Sequence, residues 1–458
     1  MEMSIPDPAL SMRLVHSTDR GFIFMNSSTR FTASQRPEVP PVRVNPPEEE
    51  QVARLVARLQ QIHPVDPATI QVVRAPLRIC PLGAHIDHQL GIVTGMTIDQ
   101  AILLAFAPAA DATFHVESLN FPEAVTFPAA QVPPYRRGDW GNYLRGAVLA
   151  LQQRFRLDRG FVGVVGGAMP IGGLSSSAAV TIAYLLALEA LNGLQLSPGD
   201  NVELVRYTEN RYIGLNNGIL DQSVILFSQE RHLTRIDCRD LAIDRVATPL
   251  PVDGPTPAFE ILAVYSGVTH VLVGTDYNSR VAECQEATRQ LLGFVGQEAG
   301  PDPRLRQVDP AIFHAEGHRL SPPLHRRALH FFGEMERVEA GVAAWQAGDL
   351  ARFGELMNRS GESSIRYYEC GSPQLITLYE VLRETPGVYG TRFSGAGFRG
   401  NCIALIDPAR REEIAAAIHA RYPAAHPEEA PRYSIHFCRP DGHARLLQGV
   451  AERGLGRA

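Results

Sequence analysis

Three consecutive serines, Ser175-Ser176-Ser177, follow directly on Pro170-Ile171-Gly172-Gly173-Leu174 and stand at the mouth of a long apolar run. That run, Ala178 to Asn192, is rich in Ala and Leu and closes on Asn192-Gly193, which predicts a helix with a glycine stop. Before the loop, Phe161 to Val165 is apolar and β-prone. Paired glycines let a backbone approach a ligand closely, and the first turn of a helix carries unpaired N–H groups. With the positive end of the helix dipole behind them, such amides hold an anion, and the serines shift the choice towards phosphate. The bland reading is an ordinary turn with a serine cap.

The chain contains no lysine, so all 43 of its Lys+Arg side chains are arginines. A Walker loop and the lysine-dependent ATP site of protein kinases are therefore excluded. A pyridoxal Schiff base is excluded on the same ground. Cys238-Arg239-Asp240-Leu241 has the look of a protein-kinase catalytic loop, but the lysine it would need does not exist. Nucleotide phosphate would have to be handled by backbone amides, hydroxyls, arginine and metal.

Four further segments carry chemistry. Arg78 to His88 gathers Arg78, His85, Asp87 and His88 in one short stretch. No further metal ligand lies nearby, so hydrogen bonds to a hydroxyl-rich ligand are the better reading than a metal cluster. Asp221, in Gly218-Ile219-Leu220-Asp221-Gln222, reads either as a buried carboxylate or as a helix-capping Asp. Glu209, twelve residues upstream, would on its own be a solvated helix charge. Phe393 to Gly400 is a second glycine-rich loop, weak evidence by itself.

The elements that must position these residues read as an α+β pattern without internal repeats. Helical spacing appears at Glu48–Ile62, Trp140–Phe155, Leu204–Ile213, Tyr277–Phe294, Leu324–Ala347, Leu350–Ser360, Pro373–Glu384 and Pro408–Arg421. Strand-like pieces are Ile70–Val73, Gly91–Phe106, Phe259–Tyr265, Asn401–Ile406 and Tyr433–Phe437. Residues 1–47, rich in Pro, Ser and Arg, are expected to form a flexible arm. A Pro/Gly-rich stretch from Pro249 to Pro257 suggests two domains, 48–252 and 253–458.

Bulk composition narrows the partners. At 458 residues, with 45% hydrophobic and 20% charged content, the chain is an ordinary globular one. A net charge of -6 gives no reason to expect nucleic acid or an anionic membrane. No apolar run reaches spanning length, and the N-terminus lacks a secretory pattern. Six scattered cysteines without a C-x-x-C pair point to reduced thiols in cytoplasm, with Cys80 a packed side chain rather than a nucleophile.

Taken in order, these segments resemble the galactokinase branch of the GHMP small-molecule kinases. Leu77 to His88 loosely matches the first motif of that family, G-R-x-N-x-I-G-E-H-x-D-Y. Pro170 to Ala178 nearly completes the second, P-x-G-x-G-L-S-S-S-A, and Gly395 to Gly400 matches the third, G-x-G-F-G-G, with Arg399 replacing a glycine. Supporting similarity lies at Gly218–Gln222, at Val273–Glu283 around Tyr277, at Phe353–Ser360 and at Tyr433–Pro440.

The resemblance implies a two-domain α+β GHMP kinase fold with the active site in the interdomain cleft, covering about residues 70–450. It implies that Gly172, Gly173, Leu174, Ser175, Ser176 and Ser177 cradle the phosphates of ATP. Ser177 and Glu209 would hold Mg2+, Asp221 would orient or deprotonate the C1 hydroxyl of a sugar, and Arg78 would stabilise the transferred phosphoryl group. His85, Asp87, Gly218 and Tyr277 match sugar-contacting positions. Where galactokinases carry a glutamate facing the sugar C6 hydroxyl, this chain has Ala84. A carboxylate there would repel a C6 acid, so its loss points to a sugar acid or a sugar lacking C6. The surrounding run is of the form found in galacturonokinases, which implies phosphorylation of D-galacturonate at C1. An L-arabinokinase, a galactokinase with a relaxed pocket and a non-catalytic sugar/ATP sensor are the alternatives. Arg399 is expected to meet the C6 carboxylate or a phosphate, or else to be a plain surface arginine.

Overall fold

The computed structural model describes residues 42–447 apart from 171, 255 and 269–275. Residues 1–41 of the expected arm, Ile171 of the serine loop and residues 273–275 before Tyr277 lie outside them. The last part of the arm is anchored: Val42 packs against the second core, the Arg43 N–H donates to the Ile435 carbonyl, and Asn45 donates to Gln100.

Helix α1 (Glu48–Ile62) buries Leu55, Val56 and Leu59 along one stripe. Strands β1 (Gln71–Ile79) and β2 (Ile92–Pro108) pair antiparallel, and the loop between them carries Ala84, His85 and Asp87. Next come β3 (Thr113–Ser118), β4 (Val125–Pro128), α2 (Asn142–Gln152), β5 (Phe161–Gly167) and α3 (Ser176–Asn192). The serine loop is thus the joint between β5 and α3. Helix α3 is apolar almost all round and is accordingly buried on nearly every face, which fixes its N-terminus in place.

Helix α4 (Pro198–Tyr207) starts at a capping box, Ser197 with Asp200, earlier than its apolar spacing suggested. It runs into a π-helical turn, Thr208–Ile213, that carries Glu209. Such wide turns recur at functional sites because they push one side chain out of helical register. Helix α5 (Leu220–Phe227) and the hairpin β6 (His232–Asp237) with β7 (Ala242–Ala247) complete this part.

The remainder comprises β8 (Glu260–Tyr265), α6 (Asp276–Phe294), α7 (Pro310–Glu316), α8 (Pro322–Gln346), α9 (Leu350–Ser363), α10 (Pro373–Glu384), β9 (Val388–Phe393), β10 (Asn401–Ile406), α11 (Arg411–Ala425) and β11 (Ser434–Cys438). Two short strands, β12 (Pro440–Asp441) and β13 (Arg445–Leu447), end the described chain.

Two sheets organise these elements. The first runs β13-β1-β2-β5-β3-β4, with β6, β7 and β12 attached through β2; the second runs β11-β8-β10-β9. Because β13 pairs with β1, the end of the chain returns to the first sheet, and the division proposed near residue 252 is crossed by that return. Helix α9 lies directly on β9, where Gly354 and Gly390 meet backbone to backbone and leave no room for a Cβ. Helix α8, packed on α9, meets the β1–β2 loop through His330 and Glu334.

Candidate active site

Most of the residues singled out in the sequence share one cleft of about 550 Å3. Its walls include Arg78, Ala84, His85, Asp87, Gly172, Gly173, Ser175–Ser177, Asp221, Tyr277 and Arg399. Three candidates stand behind the wall. Leu174 is buried and accepts the Arg78 N–H through its carbonyl, Glu209 lies beneath the floor, and Gly218 backs onto Asp87.

The phosphate end is built from glycines. Gly172 and Gly173 adopt positive φ values of 136° and 76°, and Gly400 one of 97°. A Cβ on Gly400 would stand 2.6 Å from the carbonyl carbon of Gly172, so the two glycine loops touch at van der Waals distance. Asn401 locks the contact by donating from Nδ2 to the Gly172 carbonyl at 2.6 Å. Ser175 occupies the cap position of α3 but sits in the left-handed region (φ 61°) and makes no capping bond. Its hydroxyl is buried without a partner among the described residues. The bland role of a serine cap is therefore not filled, and the first-turn amides of α3 have no side-chain cap.

At the other end Arg78 organises the floor. Its guanidinium donates to Asp221 Oδ1 from Nε (2.9 Å) and Nη2 (2.7 Å), and from Nη1 to the Ser394 hydroxyl (3.0 Å). Asp221 lies in the first turn of α5 with its side chain 24% exposed, so it faces the cleft rather than being buried as its neighbours suggested. Both Arg78 bonds fall on one oxygen, leaving Oδ2 free of the guanidinium.

Two further carboxylates crowd the same floor. Burial, and then Asp221, push Asp87 up to about 6. Glu209 is raised to about 7 by burial and then by Asp221, although Asn217 and Ser177 hydrogen-bond to it. A Cβ on Gly218 would stand 2.5 Å from the Asp87 carboxylate, which explains glycine at that position. The Tyr277 ring meets that of His88 edge to face, and its acidity is suppressed by burial and then by Asp87, Asp221 and Glu209.

His85 stacks on Tyr368 with ring centres 4.4 Å apart, and His88 hydrogen-bonds to the Tyr368 hydroxyl at 3.1 Å. Burial holds both histidines below the ordinary imidazole value. Arg399 is exposed on the rim and makes no hydrogen bond or ion pair among the described residues. Its electrostatic neighbours are Tyr143 and Tyr265, with Tyr143 sharing the cleft wall near the serine loop. Ser394, Asn401, Asn217 and Tyr143 were not read as site residues from sequence. Ser394 and Asn401 flank the second glycine loop, which was their one available signal.

Residues 142–229 match the family described as "GHMP kinases N terminal domain", and residues 342–424 that described as "GHMP kinases C terminal". A galacturonokinase from Arabidopsis thaliana is 42% identical over 88% of this chain and 99% of its own length. The chain belongs to the GHMP kinase family. A galactokinase from Roseiflexus sp. is 34% identical over 86% of this chain and 97% of its own. Among solved structures, Lactococcus lactis galactokinase complexed with galactose superposes with a TM-score of 0.79, at 27% identity, over 87% of this chain and all of that one. The α+β GHMP kinase fold anticipated from the motifs is the fold observed. Among the described residues, no helix of this kinase is long and apolar enough to cross a membrane.

Glu209 supplies a direct test of the crowded floor. Between its ordinary 4.5 and the raised value of about 7, the folded chain keeps a proton that the unfolded chain has released. Its contribution to stability is full below the lower value and is lost as pH rises through the upper one. Thermal melts without metal or nucleotide should show stability falling across that window. Glu209→Gln should flatten the fall and be more stable than wild type at alkaline pH by on the order of 2 kcal/mol. Identical pH slopes in the two proteins would refute the crowding.

Proposed function

We propose that this kinase transfers the γ-phosphoryl group of ATP to the C1 hydroxyl of D-galacturonate, giving α-D-galacturonate 1-phosphate and ADP. The observation that carries the substrate choice is Ala84. It lines the cleft beside His85, at the motif position where galactokinases place a glutamate. The identity with the Arabidopsis galacturonokinase supports the same choice. The galactokinase similarities keep galactose as the competing substrate. Six free, buried cysteines support a reducing, cytoplasmic setting.

In this reading the sugar's C1 hydroxyl donates to Asp221 Oδ2, the oxygen that Arg78 leaves free. The hydroxyl oxygen attacks the γ-phosphorus, its proton passes to Asp221, and the bond from the γ-phosphorus to the β-bridging oxygen breaks with ADP leaving. Phosphoryl transfer is governed mainly by positioning and charge, so Arg78 serves twice. It fixes the Asp221 carboxylate and presents positive charge to the moving phosphoryl group. The uncapped amides of α3 and the glycine backbone receive the remaining phosphates. Arg399, on the serine-loop side next to Tyr143, meets nucleotide phosphate rather than the sugar acid.

The floor fits a divalent cation. Three carboxylates, Asp87, Glu209 and Asp221, raise or crowd one another around a single arginine that is already bound. Among the described residues no cluster of three or more His, Cys, Asp or Glu could cage a metal alone. Mg2+ commonly takes one or two protein oxygens and completes its shell with phosphate and water. Ser177 and Glu209 would be those protein oxygens, and the ion would neutralise charge on the phosphates.

Three measurements follow from this assignment. Asp221→Asn should bind ATP almost normally while losing about 10²–10⁴-fold in kcat, the usual share of a positioned base. Near-normal turnover in the folded variant removes Asp221 from this role. Glu209→Gln and Ser177→Ala should each raise the Mg2+ concentration needed for half-maximal rate, while Arg399→Gly should raise KM for ATP without moving KM for the sugar. Titrations that overlay the wild type would dismiss the corresponding assignment.

Ala84→Glu tests the substrate itself. Unit charges ~4 Å apart at an effective dielectric near 20 repel by about 4 kcal/mol, and partial solvation reduces this. We therefore expect kcat/KM for galacturonate to fall about ten- to a thousandfold. Galactose, whose C6 hydroxyl can donate to the new carboxylate, should gain by about 1–2 kcal/mol at most. If Ala84 merely packs, every sugar should suffer alike. A wild type that prefers galactose would end the galacturonate reading.

A further inference from the structure

The backbone on both sides of Ala84 is held by one helix, and held in a conformation it would not keep alone. Gly83 has φ 91° and His85 has φ 62°, so Ala84 lies between two left-handed residues. A non-glycine residue in that region is strained and persists only where its surroundings determine it. Here they do. The Gly83 N–H donates to Glu334 Oε1 at 2.8 Å, and His330 Nε2 lies 3.0 Å from the Ala84 carbonyl.

His330 and Glu334 are one turn apart on α8, and both are fully buried. The direction of each bond can be derived. A carbonyl only accepts, so His330 carries its proton on Nε2; burial keeps the ring neutral, at about 4, so Nδ1 is bare. Nδ1 then accepts from the Ser363 hydroxyl at 2.9 Å, and that hydroxyl in turn accepts from Arg337 Nη2 at 3.0 Å. Arg337 also donates from Nε to Glu334 Oε2 at 2.7 Å, which closes the circuit. The Glu334 carboxyl is held low, at about 2, by Arg337 and Arg392 against its burial. The bonds form a closed ring, of which Arg337, with its side chain 17% exposed, is the member that reaches solvent.

We propose that His330 and Glu334 are positioning residues for sugar recognition. From α8 they clamp the Gly83–Ala84–His85 backbone, and so set the depth at which the Ala84 side of the cleft meets C6 of the sugar. His330 hydrogen-bonds only to Ala84 and Ser363 among the described residues. Glu334 also pairs with Arg392, which donates to the Phe393 carbonyl at the head of the second glycine loop; the test therefore substitutes His330 and its Ser363 partner. The discrimination the clamp confers between sugar acid and neutral sugar rests on the galacturonate reading above; the positioning itself does not. A short side chain at position 84 selects by leaving space, and space discriminates only if the backbone around it cannot shift to fill it.

The test compares KM for galacturonate and for ATP, with the thermal midpoint, in His330→Phe, Ser363→Ala and His330→Gln. His330→Phe removes one donated hydrogen bond from the loop and should raise sugar KM about three- to tenfold, leaving ATP KM unchanged. It should also lower the ratio of kcat/KM for galacturonate over galactose. Ser363→Ala frees the ring to turn and should act in the same direction more weakly. His330→Gln, whose amide can donate to the Ala84 carbonyl, should restore most of the sugar affinity. Wild-type sugar KM in a folded His330→Phe overturns the proposal, as does a parallel rise in the sugar and ATP constants. If the wild type prefers a different sugar, the substrate reading fails on its own, and the KM comparison on that sugar still decides the clamp.

Discussion

Too little positive charge for the carboxylates it holds is the condition on which this cleft depends. Asp87, Glu209 and Asp221 lie close enough to shift one another's protons, and among the described residues Arg78 is the arginine bonded to this group, through one oxygen of Asp221. Desolvated anions that cannot be paired raise one another's proton affinity, as Asp87 and Glu209 both show. In the proposed reading, a divalent cation bound with nucleotide phosphate would offset this crowding. On that reading the two bind together: the carboxylates would favour the metal, and the metal with the uncapped α3 amides would favour the phosphates.

Holding that arrangement requires loops that approach more closely than side chains allow. The Gly172–Gly400 contact brings the two glycine loops together, and Asn401 and Ser394 then tie one to the serine loop and the other to Arg78. Gly218 lets α5 reach Asp87, and Gly354 against Gly390 seats α9 on β9. Each glycine is a distance requirement rather than a source of flexibility. Arg78 thus touches three separate chain segments, and its position reports the docking of the second sheet as much as the local β1 geometry.

The motif residues were legible because their chemistry is local. Gly172, Gly173 and the three serines lie within six positions, and a strand–loop–helix reading places them without tertiary information. Glu209 was legible only by resemblance, since a glutamate at the end of a helical run looks solvated. What buries it is the π-helical turn and the packing of α2 against that turn, neither of which leaves a periodic signature. Short strands such as β3, β4, β6 and β7 escaped for a related reason, being pairs whose stability comes from neighbours far along the chain. The stripe Arg327, His330, Glu334, Arg337 has clean helical spacing, but polar residues at that spacing ordinarily mark a water-facing surface. Only the structure shows that it faces inward.

That inversion bears on how such a kinase can change substrate. Replacing a recognition glutamate by alanine deletes a contact and, by itself, leaves a hole into which the loop could relax. The loop here has both reasons to relax: a strained His85 and a small residue beside it. Relaxation is opposed by bonds to the peptide groups of Gly83 and Ala84, which do not depend on which side chain stands at position 84. On the proposed reading, a backbone clamp would let the side chain at position 84 vary while the shape of the pocket persists. Selectivity by an absent group is tenable only on such a scaffold, because repulsion can be avoided by design whereas a cavity must be kept open against collapse.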